Sequence, residues 1–162
     1  MEIMKKTKSR ILVVDDDRDL ADTLVEFLNT LGYQAFPAYN GNEGLTKFEQ
    51  ADFQLVITDL KMPEMDGMEL LDAMRKLDSD VNVIVLTGFG TVESAVQAIK
   101  GGAYDYITKP FKFDEIELIV KRAMEKDTIF RQMRRFREMF FLVLFTVPFW
   151  ILLGVLLISA WK

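Results

Sequence analysis

The sequence predicts an α/β fold: a doubly wound, five-stranded parallel sheet built from five βα units. Three observations carry this. Five short β-type runs alternate with five stretches whose apolar residues recur at spacings of three and four. The connections between them are short, which suits strand–helix–strand crossovers. Polar residues also gather just after runs one, three, four and five, at the carboxyl strand ends where open α/β sheets place their ligand sites.

The first run, Ile11-Leu12-Val13-Val14, has no polar interruption, as a strand covered on both faces requires. It ends at Asp15-Asp16-Asp17. Leu20, Leu24, Phe27, Leu28 and Leu31 then follow helical spacing, and Gly32 is a suitable C-terminal cap. Tyr33 to Phe36 is the second strand. Leu45 and Phe48 mark a short helix behind the turn-like Asn40-Gly41-Asn42. Phe53 to Ile57 is the third strand, feeding Asp59 within Leu55-Val56-Ile57-Thr58-Asp59-Leu60-Lys61-Met62-Pro63.

Asp66-Gly67-Met68-Glu69 has the spacing of a capping box and opens a helix through Leu70, Leu71, Met74 and Leu77. Val81 to Leu86 is the fourth strand, ending at Thr87-Gly88. Thr91 can cap a fourth helix carrying Val92, Ala95, Val96 and Ile99, stopped by Gly101-Gly102. Tyr104 to Ile107 is the fifth strand, ending at Thr108-Lys109-Pro110. Asp114-Glu115-Ile116-Glu117 reads as a second capping box, opening a helix through Ile119, Val120 and Ala123. With right-handed crossovers and helices on both faces, strand order 2-1-3-4-5 follows, a flavodoxin-like arrangement.

Composition narrows the chemistry. The 162 residues contain no cysteine and no histidine, which excludes disulfides, thiolate metal sites, histidine catalysis and a phosphohistidine on this chain. Residues 1–127 hold 15 Lys+Arg against 24 Asp+Glu, whereas 128–162 hold 5 against 1. The acidic body argues against nucleic acid as its partner. No apolar stretch of signal-peptide length follows the early lysines, so no secretory signal is expected.

The chain changes character after about residue 126. Ile129, Met133, Phe136 and Phe140 form a heptad-like stripe that would suit a homodimer seam, and Arg131, Arg134, Arg135 and Arg137 fill positions between them. Met139 to Trp161 is 23 residues without a charge. As a helix it would span about 35 Å, enough for a hydrocarbon core of about 30 Å. Fifteen of the 23 are Leu, Ile, Val or Phe, which favours insertion by at most about 5–9 kcal/mol. Pro148 and Gly154 are tolerated in such helices. The expected organisation is an N-terminal extension (1–8), a globular unit (9–126), a basic juxtamembrane helix (127–138) and a transmembrane helix (139–161). The four arginines before the span place the globular unit in the cytoplasm, with the apolar segment as a single-pass C-terminal anchor in the bilayer.

At the strand ends, Asp15, Asp16 and Asp59 are expected to crowd three carboxylates together, which is unfavourable unless a cation joins them. Oxygen donors suit a hard ion, and Mg2+ is the common choice where a phosphoryl group is handled. Asp59 would be the nucleophile, since aspartate can form an acyl phosphate. Lys109 supplies a point charge for phosphoryl oxygens, the Thr87 hydroxyl donates to another oxygen, and Gly88 leaves the approach open.

This set resembles the receiver domain of two-component response regulators over roughly residues 9–126. The matching residues are Asp15-Asp16 after the first strand, Asp59 in Thr58-Asp59-Leu60-Lys61-Met62-Pro63-Glu64-Met65-Asp66-Gly67, Thr87-Gly88 after the fourth and Lys109-Pro110 after the fifth. The resemblance implies that Asp59 takes a phosphoryl group from a histidine kinase or phosphotransfer protein. It implies that Asp16, Asp59 and the backbone carbonyl of Lys61 hold Mg2+ beside Asp15. It further implies a cis Lys109–Pro110 peptide and a switch through Thr87 and Tyr106 that reshapes a protein-binding face for a downstream protein whose identity is unknown. Such a unit is a phosphoacceptor that assists its own phosphorylation and dephosphorylation, not an enzyme acting on other substrates. The family often carries a DNA-binding or enzymatic output domain after the fifth helix; here basic and then apolar sequence takes that place.

Two other functions compete with this one. A phosphorylation-independent, membrane-tethered interaction scaffold would keep the fold without using the site, and the complete set of site residues argues against it. An aspartate-based phosphatase of the haloacid-dehalogenase type needs an acidic residue two positions after its nucleophile, where this chain has Lys61. No glycine-rich phosphate loop follows the first strand, which argues against a nucleotide-binding fold.

Overall fold

The structure is a computed structural model and describes residues 9–88 and 92–125, with two further helical positions at Leu144 and Thr146. The strands are β1 (Arg10–Val14), β2 (Gln34–Ala38), β3 (Leu55–Asp59), β4 (Asn82–Thr87) and β5 (Asp105–Thr108). The helices are α1 (Arg18–Thr30), α2 (Gly41–Gln50), α3 (Gly67–Leu77), α4 (Val92–Lys100) and α5 at residues 113–125. All strand pairs are parallel and the order is β2-β1-β3-β4-β5, as expected.

Strand alternation sends the apolar side chains into two cores, one on each face. Ile11, Val13, Leu55, Ile57, Ile84, Leu86 and Ile107 pack with Leu24 and Leu28 of α1 and Ile116, Val120 and Ala123 of α5. Leu12, Val14, Val56, Val83 and Val85 pack on the other face with Phe48 of α2, Leu70, Leu71 and Met74 of α3 and Ala98 of α4. Both sheet faces are therefore covered, which is why the strands read as continuous apolar runs. Pro37 lies in the edge strand β2, whose one neighbour is β1, the sheet position that tolerates proline.

Helix ends follow the sequence signals with some shifts. The Asp17 side chain caps α1 through the Leu20 N–H, and the Asn40 side chain caps α2 through the Glu43 N–H. Asp66 accepts from the Met68 and Glu69 N–H groups while Glu69 accepts from the Asp66 N–H, completing the expected capping box. Gly32, at φ 92°, ends α1. Its N–H donates to the Asn29 carbonyl and that of Tyr33 to the Leu28 carbonyl, which is a Schellman motif. Because the Tyr33 N–H serves that cap, the β2 ladder starts one residue later than expected, at Gln34. The first strand begins one residue early and ends as predicted, whereas β3, β4 and β5 are displaced one or two residues toward the C-terminus.

The fifth helix corrects the second predicted capping box. It begins at residue 113, and the Lys112 carbonyl accepts from the Ile116 N–H. Asp114 and Glu115 therefore lie inside the first turn, where their charge favours the helix dipole instead of capping it. The proposed Thr91 cap lies outside the described residues. So do the arginines at 131, 134, 135 and 137, the 129–140 stripe and all but two residues of the 139–161 segment. Among the described residues no helix is long and apolar enough to cross a membrane.

Gly67 fixes how α3 leaves the sheet. Its N–H donates to the Leu60 carbonyl at 2.9 Å, and a Cβ there would press on the Asp59 carbonyl and stand 3.0 Å from Leu60 Cα. Helix propensity alone would make Gly67→Ala stabilising by about 1 kcal/mol. The close approach predicts the opposite, a loss of about 1–3 kcal/mol in urea denaturation. A stability equal to or above wild type would refute that contact.

Candidate functional site

The site is built where β1, β3 and β5 end. Asp15 follows β1 directly, and its backbone N–H donates to the Ala38 carbonyl at 3.1 Å, which fixes the chain as it leaves the sheet. Asp59 is the last residue of β3 and only 6% exposed. Lys109 follows β5, its N–H donating to the Thr87 carbonyl at 2.7 Å, and the Lys109–Pro110 peptide is cis. The Leu60 N–H donates to the Leu86 carbonyl at 2.7 Å, which holds the start of the β3–α3 loop against β4.

The Lys109 ammonium joins the two carboxylates. Its Nζ lies 2.7 Å from Asp15 Oδ2 and 2.5 Å from Asp59 Oδ1. The remaining oxygens are held by backbone. Asp15 Oδ1 accepts from the Asp17 N–H at 3.0 Å, and Asp59 Oδ2 accepts from the Lys61 N–H at 2.7 Å. Each acid thus has one oxygen on a main-chain donor and one on the shared cation, and charge-assisted bonds of this kind are the stronger ones.

The electrostatics follow from burial. Desolvation is the largest influence on Asp15 and raises its pKa above the ordinary 3.8; the nearby Asp59 charge adds to the rise, while Lys109 and the Asp17 N–H oppose it without cancelling it. Burial acts on Lys109 in the opposite sense and would lower its pKa. The hydrogen bonds and charges of Asp15 and Asp59 together outweigh burial, and Lys109 rises above the ordinary 10.5.

The other predicted residues are placed less centrally. Thr87 ends β4 and is 1% exposed, and its carbonyl binds the Lys109 N–H as described. Tyr106 lies in β5, half-buried against the core beneath α2, α3 and α4. Asp16 is exposed beside Asp15, and Lys61 is exposed at the start of the loop after β3. The expectation of three gathered carboxylates therefore holds for two of them. Among the described residues, no group of three or more acidic side chains is gathered as a metal site. The donor chemistry nevertheless fits a hard divalent ion: Asp15, Asp16, Asp59 and the Lys61 carbonyl offer oxygen only.

Sequence reasoning assigned Lys109 to phosphoryl oxygens and missed its bridge to the acids, because strand order alone does not say where a long side chain comes to rest. It also missed Asn42 and Glu64, whose side chains meet beside the β3–α3 loop at 3.2 Å. No local motif marks that pair.

Residues 11–121 match the response regulator receiver domain. The chain belongs to that family. It is 36% identical over 130 residues to the regulatory protein AtoC of Escherichia coli, an alignment covering 80% of this chain and 28% of AtoC. It is 38% identical over 129 residues to the C4-dicarboxylate transport transcriptional regulatory protein DctD of Rhizobium meliloti, covering 79% of this chain and 28% of DctD. The chain thus spans little more than a quarter of the length of these relatives. A crystallised receiver domain protein from Clostridium thermocellum superimposes with a TM-score of 0.72 at 31% identity, covering 75% of this chain and 98% of that one. Receiver domains are regulatory phosphoacceptors of two-component signalling, and this receiver has the five-stranded order that its sequence predicted.

The Lys109 bridge makes a testable statement about stability. Lys109→Met leaves two buried carboxylates facing each other, and should destabilise the metal-free protein by roughly 2–4 kcal/mol at pH 7, the low end for a broken buried pair because Lys109 is partly solvated. Burial raises Asp15 above 3.8 and Lys109 opposes that rise, so loss of Lys109 raises Asp15 further and the variant gains more than the wild type from protonation as pH falls through the native value toward 3.8. The variant's deficit should therefore shrink on acidification from pH 7 toward 4. A deficit that stays constant or grows would contradict the bridge.

Proposed function

We propose that this receiver takes a phosphoryl group onto the Asp59 carboxylate from the phosphohistidine of a histidine kinase or phosphotransfer protein, in a reaction that requires Mg2+. The observation that carries this is the Lys109 ammonium held between Asp15 and Asp59 at the carboxyl strand edge. An Asp59 oxygen attacks phosphorus, the P–N bond to the donor imidazole breaks, and an acyl phosphate remains on Asp59. Lys109 then neutralises a phosphoryl oxygen, and the Thr87 hydroxyl donates to another. Asp15, Asp16, Asp59 and the Lys61 carbonyl are the groups that would hold Mg2+, which when bound offsets the carboxylate charge and that of the incoming phosphoryl group.

The uptake of phosphate switches a protein-binding face. Thr87 lies at the site and Tyr106 on the neighbouring strand, so a movement of the first toward the phosphoryl group would let the second turn inward. The downstream partner is a protein. Residues 139–161 anchor the receiver to the bilayer with its site on the cytoplasmic side, a reading supported by 23 uncharged residues behind Arg131, Arg134, Arg135 and Arg137. Tethering raises its effective concentration for partners at the same membrane.

Incubation with a small phosphodonor and Mg2+, read by intact-protein mass spectrometry, should add one phosphoryl group to the wild type and none to Asp59→Ala, and EDTA should abolish the addition. Equal labelling of Asp59→Ala would overturn the assignment. The anchor predicts that the intact chain stays with membranes through carbonate washing and that truncation after Arg137 releases it. Release of the intact chain would refute the anchor.

A further inference from the structure

The loop between β3 and α3 holds one oxygen of Asp59 through the Lys61 N–H. Its ends are closed by the Gly67 N–H on the Leu60 carbonyl and by the Asp66 cap of α3. In its middle the Met65 N–H donates to the Pro63 carbonyl at 2.8 Å, closing a three-residue turn centred on Glu64. Glu64 there sits at φ 68°, and no other non-glycine residue among those described has a positive φ. The left-handed region disfavours a glutamate, which carries a Cβ and lacks the local side-chain bonding that helps Asn or Asp there. A three-residue turn with positive φ is a strained one, so support from outside the loop adds to what the turn's single hydrogen bond supplies.

The first turn of α2 supplies that support at two points. Asn42 Nδ2 donates to Glu64 Oε2 at 3.2 Å. Gly41, buried, lies so close to the next loop residue that a Cβ would stand 2.6 Å from the Met65 carbonyl oxygen and 2.8 Å from Met65 Cβ. That spacing is shorter than real Cβ contacts allow, so Gly41 is the residue that lets the loop seat against the helix. The turn is itself fixed by the Asn40 cap. Two adjacent residues of one helix start thus meet two adjacent residues of one loop, three to four positions beyond Lys61.

From this we infer that Gly41 and Asn42 are positioning residues for the phosphoacceptor. Through Glu64 and Met65 they hold the loop in the shape that brings the Lys61 N–H onto Asp59 Oδ2. Neither touches Asp59, and neither belongs to the acid–lysine cluster. The inference rests on Asp59 being the acceptor only in its consequence for phosphoryl uptake; the geometric part stands apart from it.

The experiment uses the full chain as wild type, Asn42→Ala, Glu64→Gly and the double variant. Amide hydrogen exchange at Lys61 is read by NMR, with phosphorylation by a small phosphodonor and Mg2+ measured in parallel. Asn42→Ala should speed Lys61 exchange about three- to tenfold, the range that one net hydrogen bond commands. Exchange in the α1 and β1 core should stay at wild-type rates. The phosphorylation rate should fall by a similar factor.

Glu64→Gly removes both the carboxylate and the left-handed strain, so adding Asn42→Ala to it should produce no further change. Lys61 exchange at the wild-type rate in Asn42→Ala, or effects of the two substitutions that multiply, would overturn the inference. An altered Lys61 exchange in a chain whose wild type takes up no phosphoryl group would leave the positioning role standing and sink the phosphoacceptor reading instead.

Discussion

Two buried carboxylates share one ammonium, and the rest of the receiver is arranged to make that tolerable. Asp15 and Asp59 belong to adjacent strands, β1 and β3, whereas Lys109 follows β5, with β4 in between. At about 4.8 Å per strand, β5 lies roughly 10 Å from β3. The lysine must therefore reach over the carboxyl end of β4. That end is Thr87-Gly88, and the Thr87 carbonyl accepts the Lys109 N–H at 2.7 Å, which fixes where the lysine leaves the sheet.

The same bridge explains why the site is poised for an incoming anion. A single cation facing two anions leaves excess negative charge in a place from which water is partly excluded. Main-chain N–H groups of Asp17 and Lys61 hold the outer oxygens, so the acids are ordered without being neutralised. The Lys61 donor belongs to the loop that α2 braces, and the Asp17 donor belongs to the residue that caps α1. Elements packed against opposite faces of the sheet, α1 on one and α2 and α3 on the other, therefore meet at one pair of carboxylates.

Much of this was legible in the sequence, for identifiable reasons. Leu55 to Ile57 could be read as a buried strand because both faces are covered, and Asp59 could then be placed at its carboxyl end. Gly32 and Asp66 announced their caps through residue types that few other local conformations require. Asp114 misled, because acidic residues inside a first turn look the same as a capping pair when the helix start is unknown. Strand bounds slipped where the Tyr33 N–H was taken by a helix cap. The meeting of Asn42 and Glu64, and the hydrogen bond from buried Asn82 Nδ2 to the Ala123 carbonyl at 3.3 Å, join segments 22 and 41 residues apart. Periodicity and spacing carry no signal for such contacts.

The central claim is that Lys109 is held as a cation between Asp15 and Asp59. NMR titration of the Lys109 ammonium in the metal-free protein tests it most directly, because a pKa reports the balance between burial and the two acids. Titration above the ordinary 10.5 is the result this account predicts. Titration at or below 10.5 would show that burial outweighs the carboxylates, and the bridge could not be what orders the site.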